Sequence, residues 1–216
     1  MPIVIYAIGS PIIADVAETC QRLGLDIVGW VRNIEGESFA PLGAKITEAE
    51  HLPYDLLQHP FTVPLFTPRY RFAAATEARQ RGFSRPATVI DPTAVIASST
   101  ALGPGTYVNT SANIGAAGRI GAFCFVNRGA TVGHHADIAD FVSIGPGATL
   151  AGMVKVGEGA VIGAGAIVLP RIAIGANAIV AAGAVVTEPV LPDTMVAGNP
   201  AWRMREQPPQ NDMPTG

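Results

Sequence analysis

From Val89 to Val190 the chain divides into seventeen consecutive blocks of six residues, beginning VIDPTA VIASST ALGPGT and ending AIGANA IVAAGA VVTEPV, with none left over. The second residue of every block is Ile, Val or Leu, from Ile90 to Val186, and the sixth is nearly always Ala, Thr, Gly, Cys or Val, with Ile172 the larger exception. An α-helix cannot use this period, because its apolar positions recur at three and four residues, and a simple strand alternates every second residue. A period of six fits a coil with three flat sides, each a short strand and a corner. The aliphatic residue points inward, the small residue fits the narrowing interior, and the Gly or Asn frequent at the third position accepts the corner. Three blocks make one coil, so residues 18 apart stack, and the seventeen blocks give between five and six coils. The period does not fix the hand of the coil.

The segment before the repeat follows another rule. PIVIYAI reads as a buried strand, SPIIADVAETCQRLG as a helix with Ser10 as N-cap and Pro11 in its first turn, LDIVGWV as a second strand, FTVPLF as a further one and PRYRFAAATEARQRGF as a helix. Strands alternating with helices predict a small βαβ unit with a parallel sheet. The expected organisation is a Rossmann-like α/β domain over residues 1–85, a coil over 86–190, and a cap with a disordered tail, EQPPQNDMPTG, over 191–216. The first βα turn, AIGSPI, offers only Gly9 where a phosphate-binding fingerprint has three glycines, which favours a generic tight turn.

Composition excludes several function classes. A net charge of −3 without a basic run leaves no electrostatic footprint for nucleic acid or an anionic membrane. Cys20 and Cys124 lie far apart and form neither a CxxC pair nor a disulfide framework. No basic region precedes the first apolar segment, so a cytoplasmic protein is expected. The apolar stretch Ile172–Val186 is too short and too rich in Gly and Ala for a membrane span and belongs to the repeat.

Two histidines, His134 and His135, stand side by side in TVGHHA, beyond its inward positions, so the His134 side chain is expected to point outward from a corner. Adding 18 to His134 gives Gly152, and adding 18 to His135 gives Met153. Asp91, Asn109 and Asn127 form another column, which on spacing alone is a ladder of corner hydrogen bonds. A zinc site of three converging histidines is not expected, because only these two lie in the coil, with His51 and His59 elsewhere.

The segment NRGATVGHHADIADFVSIGPGATLAGMVKVGEGAVIGAGAIVLPRIAIG, with the later AGNPAWRM, resembles the bacterial hexapeptide-repeat acyltransferases, in the branch of nucleotide-amino-sugar N-acetyltransferases and sialic acid O-acetyltransferases. The resemblance implies a Rossmann-like domain followed by a left-handed parallel β-helix, a homotrimer, and acetyl-CoA as co-substrate bound between neighbouring β-helices. The expected activity is acetyl transfer to an amino or hydroxyl group of a sugar, which the resemblance gives as nucleotide-linked. By the resemblance His134 is the general base, Gly152 supplies a backbone N–H to the thioester carbonyl, and Asn127 orients the acceptor. Ala164 and Ala182 line the pantetheine arm, and Arg203 meets CoA phosphates. Imidazole suits the task because its protonation changes nearest neutral pH.

The chain also departs from that pattern. His135 stands where relatives place Asp or Glu, and is the candidate partner of the base. Ser143 stands where relatives often carry a second histidine that helps hold acetyl-CoA. The turn GSP and the segment RNIEG replace the family's acceptor-binding motifs, leaving Gly9, Ser10, Arg32 and Asn33 as candidate substrate contacts. A trimeric scaffold without CoA affinity, and an acyltransferase that uses Arg32 or Arg69 for another anionic acceptor, remain open alternatives at this point.

Overall fold

The computed structural model describes residues 1–206, so the predicted tail lies, beyond Glu206, outside the described residues. The first part of the chain runs β1 (Pro2–Tyr6), α1 (Ile13–Arg22), β2 (Asp26–Arg32), β3 (Ile46–Glu48), a 3-10 turn at Ala49–His51, α2 (Tyr54–Leu57), β4 (Phe61–Thr62) and α3 (Pro68–Gln80). Its strands lie in the order β3-β2-β1-β4, and every neighbouring pair is parallel. Ser10 does not cap α1. The helix begins at Ile13 without a side-chain cap, and the Ile13 N–H donates to the Ser10 carbonyl, because Ser10–Ile12 forms a turn of its own.

Alternation along β1 builds two cores. Val4 and Tyr6 face Ala74, Ala75 and Ala78 of α3, together with Phe61, Phe83 and Phe123. Ile3 and Ile5 face Ile13, Val16 and Cys20 of α1, together with Val89, Tyr107 and Phe125. Both clusters therefore take residues from the repeat, and the two parts of the chain share buried surface.

The repeat is a left-handed parallel β-helix. Seventeen two-residue strands occupy the first two positions of the seventeen blocks, from Val89–Ile90 to Val185–Val186. Pairing at an offset of 18 runs throughout, as in Arg119↔Asp137↔Lys155↔Ala173. The second-position aliphatics and sixth-position small residues fill one interior column, in which Val126, Ile144, Ile162 and Val180 are fully buried. The last blocks, which resemble a membrane span in composition, are strands of this coil. Among the described residues no helix is long and apolar enough to cross a membrane.

The corners correct one expectation. The left-handed backbone falls on the fifth position, not the third: Ser111, Ala117, Phe123, His135, Phe141, Met153, Arg171 and Asn177 all have φ between 49° and 64°, and glycines take the remaining corners from Gly105 to Gly183. Third-position glycines answer a different demand. A Cβ at Gly133 would come within 2.6 Å of the Ala151 backbone, and one at Gly163 within 2.5 Å of the Ala182 nitrogen. They permit close contact between coils.

The three faces of the prism have different fates. The face of Val89, Tyr107, Phe125 and Ser143 is buried beneath the N-terminal part. The face of Arg119, Asp137 and Lys155 is exposed and charged, with Arg119 and Asp137 paired at 2.7 Å. The third face, with Val95, Asn113, Thr131, Thr149, Ile167 and Val185, carries no charge and leaves Val95 and Ile167 exposed. After the last coil, strand Thr194–Ala197 extends the buried face and Trp202–Glu206 pairs antiparallel to it.

A polar seam holds α1 against the buried face. The Asp91 carboxylate accepts hydrogen bonds from Thr93, from Thr19 at 3.0 Å and from Arg22 at 3.2 Å, and Thr19 also meets the Tyr107 hydroxyl at 2.9 Å. Burial by itself raises the Asp91 carboxyl, but the bonds from Thr93 and Thr19 and the Arg22 charge outweigh it and hold the group below its ordinary range. A depressed folded value means that the stabilisation is complete above the unfolded carboxylate range, near pH 4, and is lost as pH falls through the folded value. Asp91→Asn should therefore melt earlier than the parent at pH 7, with the gap closing towards pH 2, in a thermal denaturation series of both proteins.

Candidate active site

The fourth position of each block explains why a corner can do chemistry. In the corner at His134 the third residue's N–H enters the ladder, from Gly133 to the Leu150 carbonyl, and the fifth residue's N–H reaches back one coil, from His135 to the Ala116 carbonyl at 2.8 Å. The fourth residue's N–H has no place in the ladder. Pro92, Pro104, Pro146 and Pro170 occupy this position, where a missing N–H costs no ladder bond. Gly152 occupies it too, and its N–H donates to no other backbone group among the described residues.

His134 sits at the same position one coil earlier, exposed, with its ring over Gly152. A Cβ added to Gly152 would lie 2.6 Å from His134 Nε2 and 2.7 Å from Cε1. Nε2 makes no hydrogen bond among the described residues, whereas Nδ1 lies 3.0 Å from Nδ1 of His135, with the rings nearly perpendicular at 88°. Among the described residues the corner thus juxtaposes a ring nitrogen without a hydrogen-bond partner and a backbone donor that the ladder does not use.

The remaining expected residues divide among other places. Asn127, Ala164 and Ala182 share the preceding corner of the prism, at the other edge of the uncharged face, and both alanines are exposed. Asn127 accepts from Asn109 Nδ2 at 3.0 Å and from the Arg128 amide at 2.8 Å, which is the corner ladder that spacing suggests. Ser143 is fully buried: its hydroxyl donates to the Phe66 carbonyl and accepts from Arg71 at 3.0 Å. It faces the junction with the N-terminal part, so it is not placed to meet CoA directly as a surface group in this chain. Arg203 is exposed on the last strand.

At the C-terminal edge of the parallel sheet lies a cleft of about 600 Å³ whose lining includes Gly9, Ser10, Asn33, Phe66, Tyr70 and Glu77. Asn33 Nδ2 donates to Glu77 at 2.8 Å. Three of the four candidate substrate residues therefore converge. Arg32 does not join them: its guanidinium is engaged by both oxygens of Glu48, and it lines a neighbouring cavity with Glu35, Glu48, Glu50 and His51. Gly9 has no left-handed φ and a Cβ there would meet nothing closer than 3.7 Å, while Ala7 carries φ 69° in the same turn. This turn is not built for the close backbone approach of a dinucleotide fingerprint. Among the described residues no group of three or more His, Cys, Asp or Glu is placed to hold a metal ion.

The family model for bacterial transferase hexapeptide repeats matches residues 153–188. Along nearly the whole chain, the structure superposes on the perosamine N-acetyltransferase PerB from Caulobacter crescentus, solved with CoA and GDP-perosamine, with 30% identity, a TM-score of 0.83 and coverage of 94% of this chain and 97% of that one. The chain belongs to the bacterial hexapeptide-repeat acyltransferases. The acetyltransferase domain of PglB from Neisseria gonorrhoeae, solved with acetyl coenzyme A, is similar at 28% identity and a TM-score of 0.83, over 94% of this chain and 98% of that one. WeeI from Acinetobacter baumannii shares the fold at 22% identity and a TM-score of 0.78, over 94% of this chain and all of that one, 100%. No curated protein sequence matched the chain.

Two features of this acyltransferase are absent from the expected site residues. The cleft walls Phe66 and Tyr70 come from the loop and helix after β4, which carry no site motif. Arg71 is almost fully buried, has no carboxylate partner among the described residues, and its guanidinium donates to the carbonyls of Phe123 at 2.7 Å, Phe66 at 2.8 Å, Phe141 at 2.7 Å and Leu65. Burial pushes its pKa down to about 10. Its place was legible in part, since Arg71, Ala74, Ala75 and Ala78 fall on one helical stripe.

Proposed function

We propose that this enzyme transfers the acetyl group of acetyl-CoA to the amino group of a nucleotide-linked sugar, with His134 as general base. The observation that carries the reading is the corner where Nε2 of His134 lies over Gly152, with no hydrogen-bond partner for that nitrogen or for the Gly152 N–H among the described residues. The similarity to a perosamine N-acetyltransferase favours an amine over a hydroxyl acceptor.

In this mechanism the acceptor nitrogen attacks the thioester carbonyl carbon as Nε2 takes its proton, so a C–N bond forms and the carbonyl electrons move to oxygen. The Gly152 N–H stabilises that oxyanion, a contribution of about 3–4 kcal/mol for a well-placed donor. Collapse breaks the C–S bond, and the departing CoA thiolate takes the proton from the imidazolium. The products are the N-acetylated sugar and CoA, with His134 restored. No acyl-enzyme is involved. Cys20 and Cys124 are buried, burial pushes each thiol up to about 11, and the Cys124 S–H donates to the Ala139 carbonyl at 3.1 Å.

The exposed alanines at 164 and 182 suit the slender pantetheine arm, and Arg203 the CoA phosphates. They lie on a different corner from His134, which supports a homotrimer: a three-fold interface is heterologous and sets one corner of a copy against another corner of its neighbour. The uncharged face with exposed Val95 and Ile167 is the surface such a neighbour covers. The cleft with Gly9, Ser10 and Asn33 takes the acceptor. Arg32, tied to Glu48, lines the neighbouring cavity instead. Asn127 orients the acceptor through its amide nitrogen, and the free cysteines fit a cytoplasmic enzyme.

Calorimetric titration with acetyl-CoA, with light scattering in the same buffer, tests the reading. One saturable site per subunit of a trimer is expected, followed by acetylation of a GDP- or UDP-linked amino sugar detected by mass spectrometry. Absence of binding at millimolar acetyl-CoA would overturn it.

A further inference from the structure

The contact between Nδ1 of His134 and Nδ1 of His135, at 3.0 Å, is one that a carboxylate partner would never make. Two neutral imidazoles can share such a contact only if one Nδ1 carries a proton and the other a lone pair. We propose that His135 is a positioning residue that sets the tautomer of His134 as a neutral acceptor, and that its own protonation switches the base off. The inference rests on His134 being the base.

When His135 is neutral with its proton on Nε2, its Nδ1 accepts from His134 Nδ1–H, and the lone pair of His134 stays on Nε2, over Gly152. When His135 is protonated, both of its nitrogens carry hydrogen, and its Nδ1–H donates to His134 Nδ1. The proton of a neutral His134 then sits on Nε2, where it blocks acceptance from the substrate. One proton at His135 therefore removes the base without a proton being added to His134. An aspartate or glutamate in the same place stays an acceptor at neutral and mildly acidic pH.

Among the described residues no titratable side chain stacks directly on the pair. The stacked corner residues are Ala116 and Ala117 on one side and Gly152 and Met153 on the other, none of them titratable. The strand before the corner pairs Thr131 with Asn113 and Thr149. The strand after it carries Asp137, paired with Arg119 at 2.7 Å and in register with Lys155, and Arg171 lies two coils along in the column of His135. Backbone geometry allows clean replacements. His135 has φ 55°, and Phe123 and Phe141 hold the same block position at 49° and 57°. Asn also tolerates the left-handed region.

The test is the pH profile of kcat/KM for the intact enzyme, His135→Asn, His135→Phe and His134→Ala, with nitrogen-15 NMR of the imidazoles. In the parent, log kcat/KM should fall on the acid side with a slope approaching about 2, because both rings must be neutral, whereas His135→Asn should keep most of the plateau and fall with a slope of about 1. His135→Phe, which cannot accept, should lose about 10- to 100-fold on the plateau, the usual cost of removing a partner that orients a functional imidazole. NMR at neutral pH should find His134 protonated at Nδ1 and His135 unprotonated there. A parent-like plateau and slope in His135→Phe, or the opposite tautomers, would overturn the inference while loss of activity in His134→Ala left the base intact. Full activity in His134→Ala would instead remove the base assignment itself.

Discussion

Gly152→Ala should leave the β-helix folded and lower kcat by about 10²-fold or more, within the range that general-base catalysis supplies. The added Cβ would meet Nε2, Cε1 and Cδ2 of His134 at 2.6, 2.7 and 3.2 Å, and these are the three nearest atoms. All belong to the end of an exposed side chain, which yields by swinging outward at little cost in stability. Gly152 is outside the left-handed region, so alanine brings no backbone strain of that kind. The displaced imidazole no longer faces the backbone donor, and the reaction loses the alignment of its base with its oxyanion site. His134→Ala should lose a similar factor by deleting the base outright. Steady-state kinetics with circular dichroism check both variants: an unchanged melting curve with a collapsed kcat is the expected pair. A Gly152→Ala enzyme with parent-like turnover would show that the ring does not work from its position over this residue.

Arg71→Met should produce the largest loss of stability, about 3–5 kcal/mol, as expected when a buried charged donor is removed from partners that stay buried. The substitution leaves the carbonyls of Leu65, Phe66, Phe123 and Phe141 without their guanidinium donor. In a chain of this size that corresponds to a fall in Tm on the order of 10 °C. The site should feel it unevenly. Leu65 and Phe66 line the cleft, whereas His134 and Gly152 lie on a corner that Arg71 does not touch. KM for the acceptor should therefore rise more than KM for acetyl-CoA, measured below the melting transition. Arg71→Lys, with three donors in place of five, should recover only part of either effect.

His134 and Gly152 were legible together because the repeat is a ruler. An offset of 18 names spatial neighbours as soon as the blocks are aligned, and the pairing follows that offset throughout. Ser143 was not legible. Its distance from His134 along the chain says nothing of the helix that covers its face, and Arg71 reaches it from 72 residues away. The third-position glycines misled for a related reason: composition marks where glycine is needed without saying whether the need is a left-handed φ or a close approach of two backbones. Ser10 looked like a cap because residue type suits a helix start, yet a preceding turn moved that start to Ile13.

Sequence alone determined the coil, its strand positions, its inward residues and the corner that carries the histidines, because a strict six-residue period admits only one way of stacking aliphatics over small residues. Tertiary structure decided everything that depends on two distant segments meeting. It placed Arg71 and Ser143 inside the junction, tied Arg32 to Glu48, and gathered Gly9, Ser10 and Asn33 at one cleft. Periodicity orders neighbours along a repeat, but contacts between different elements are set by packing and polar satisfaction across the whole fold, and no local pattern records them.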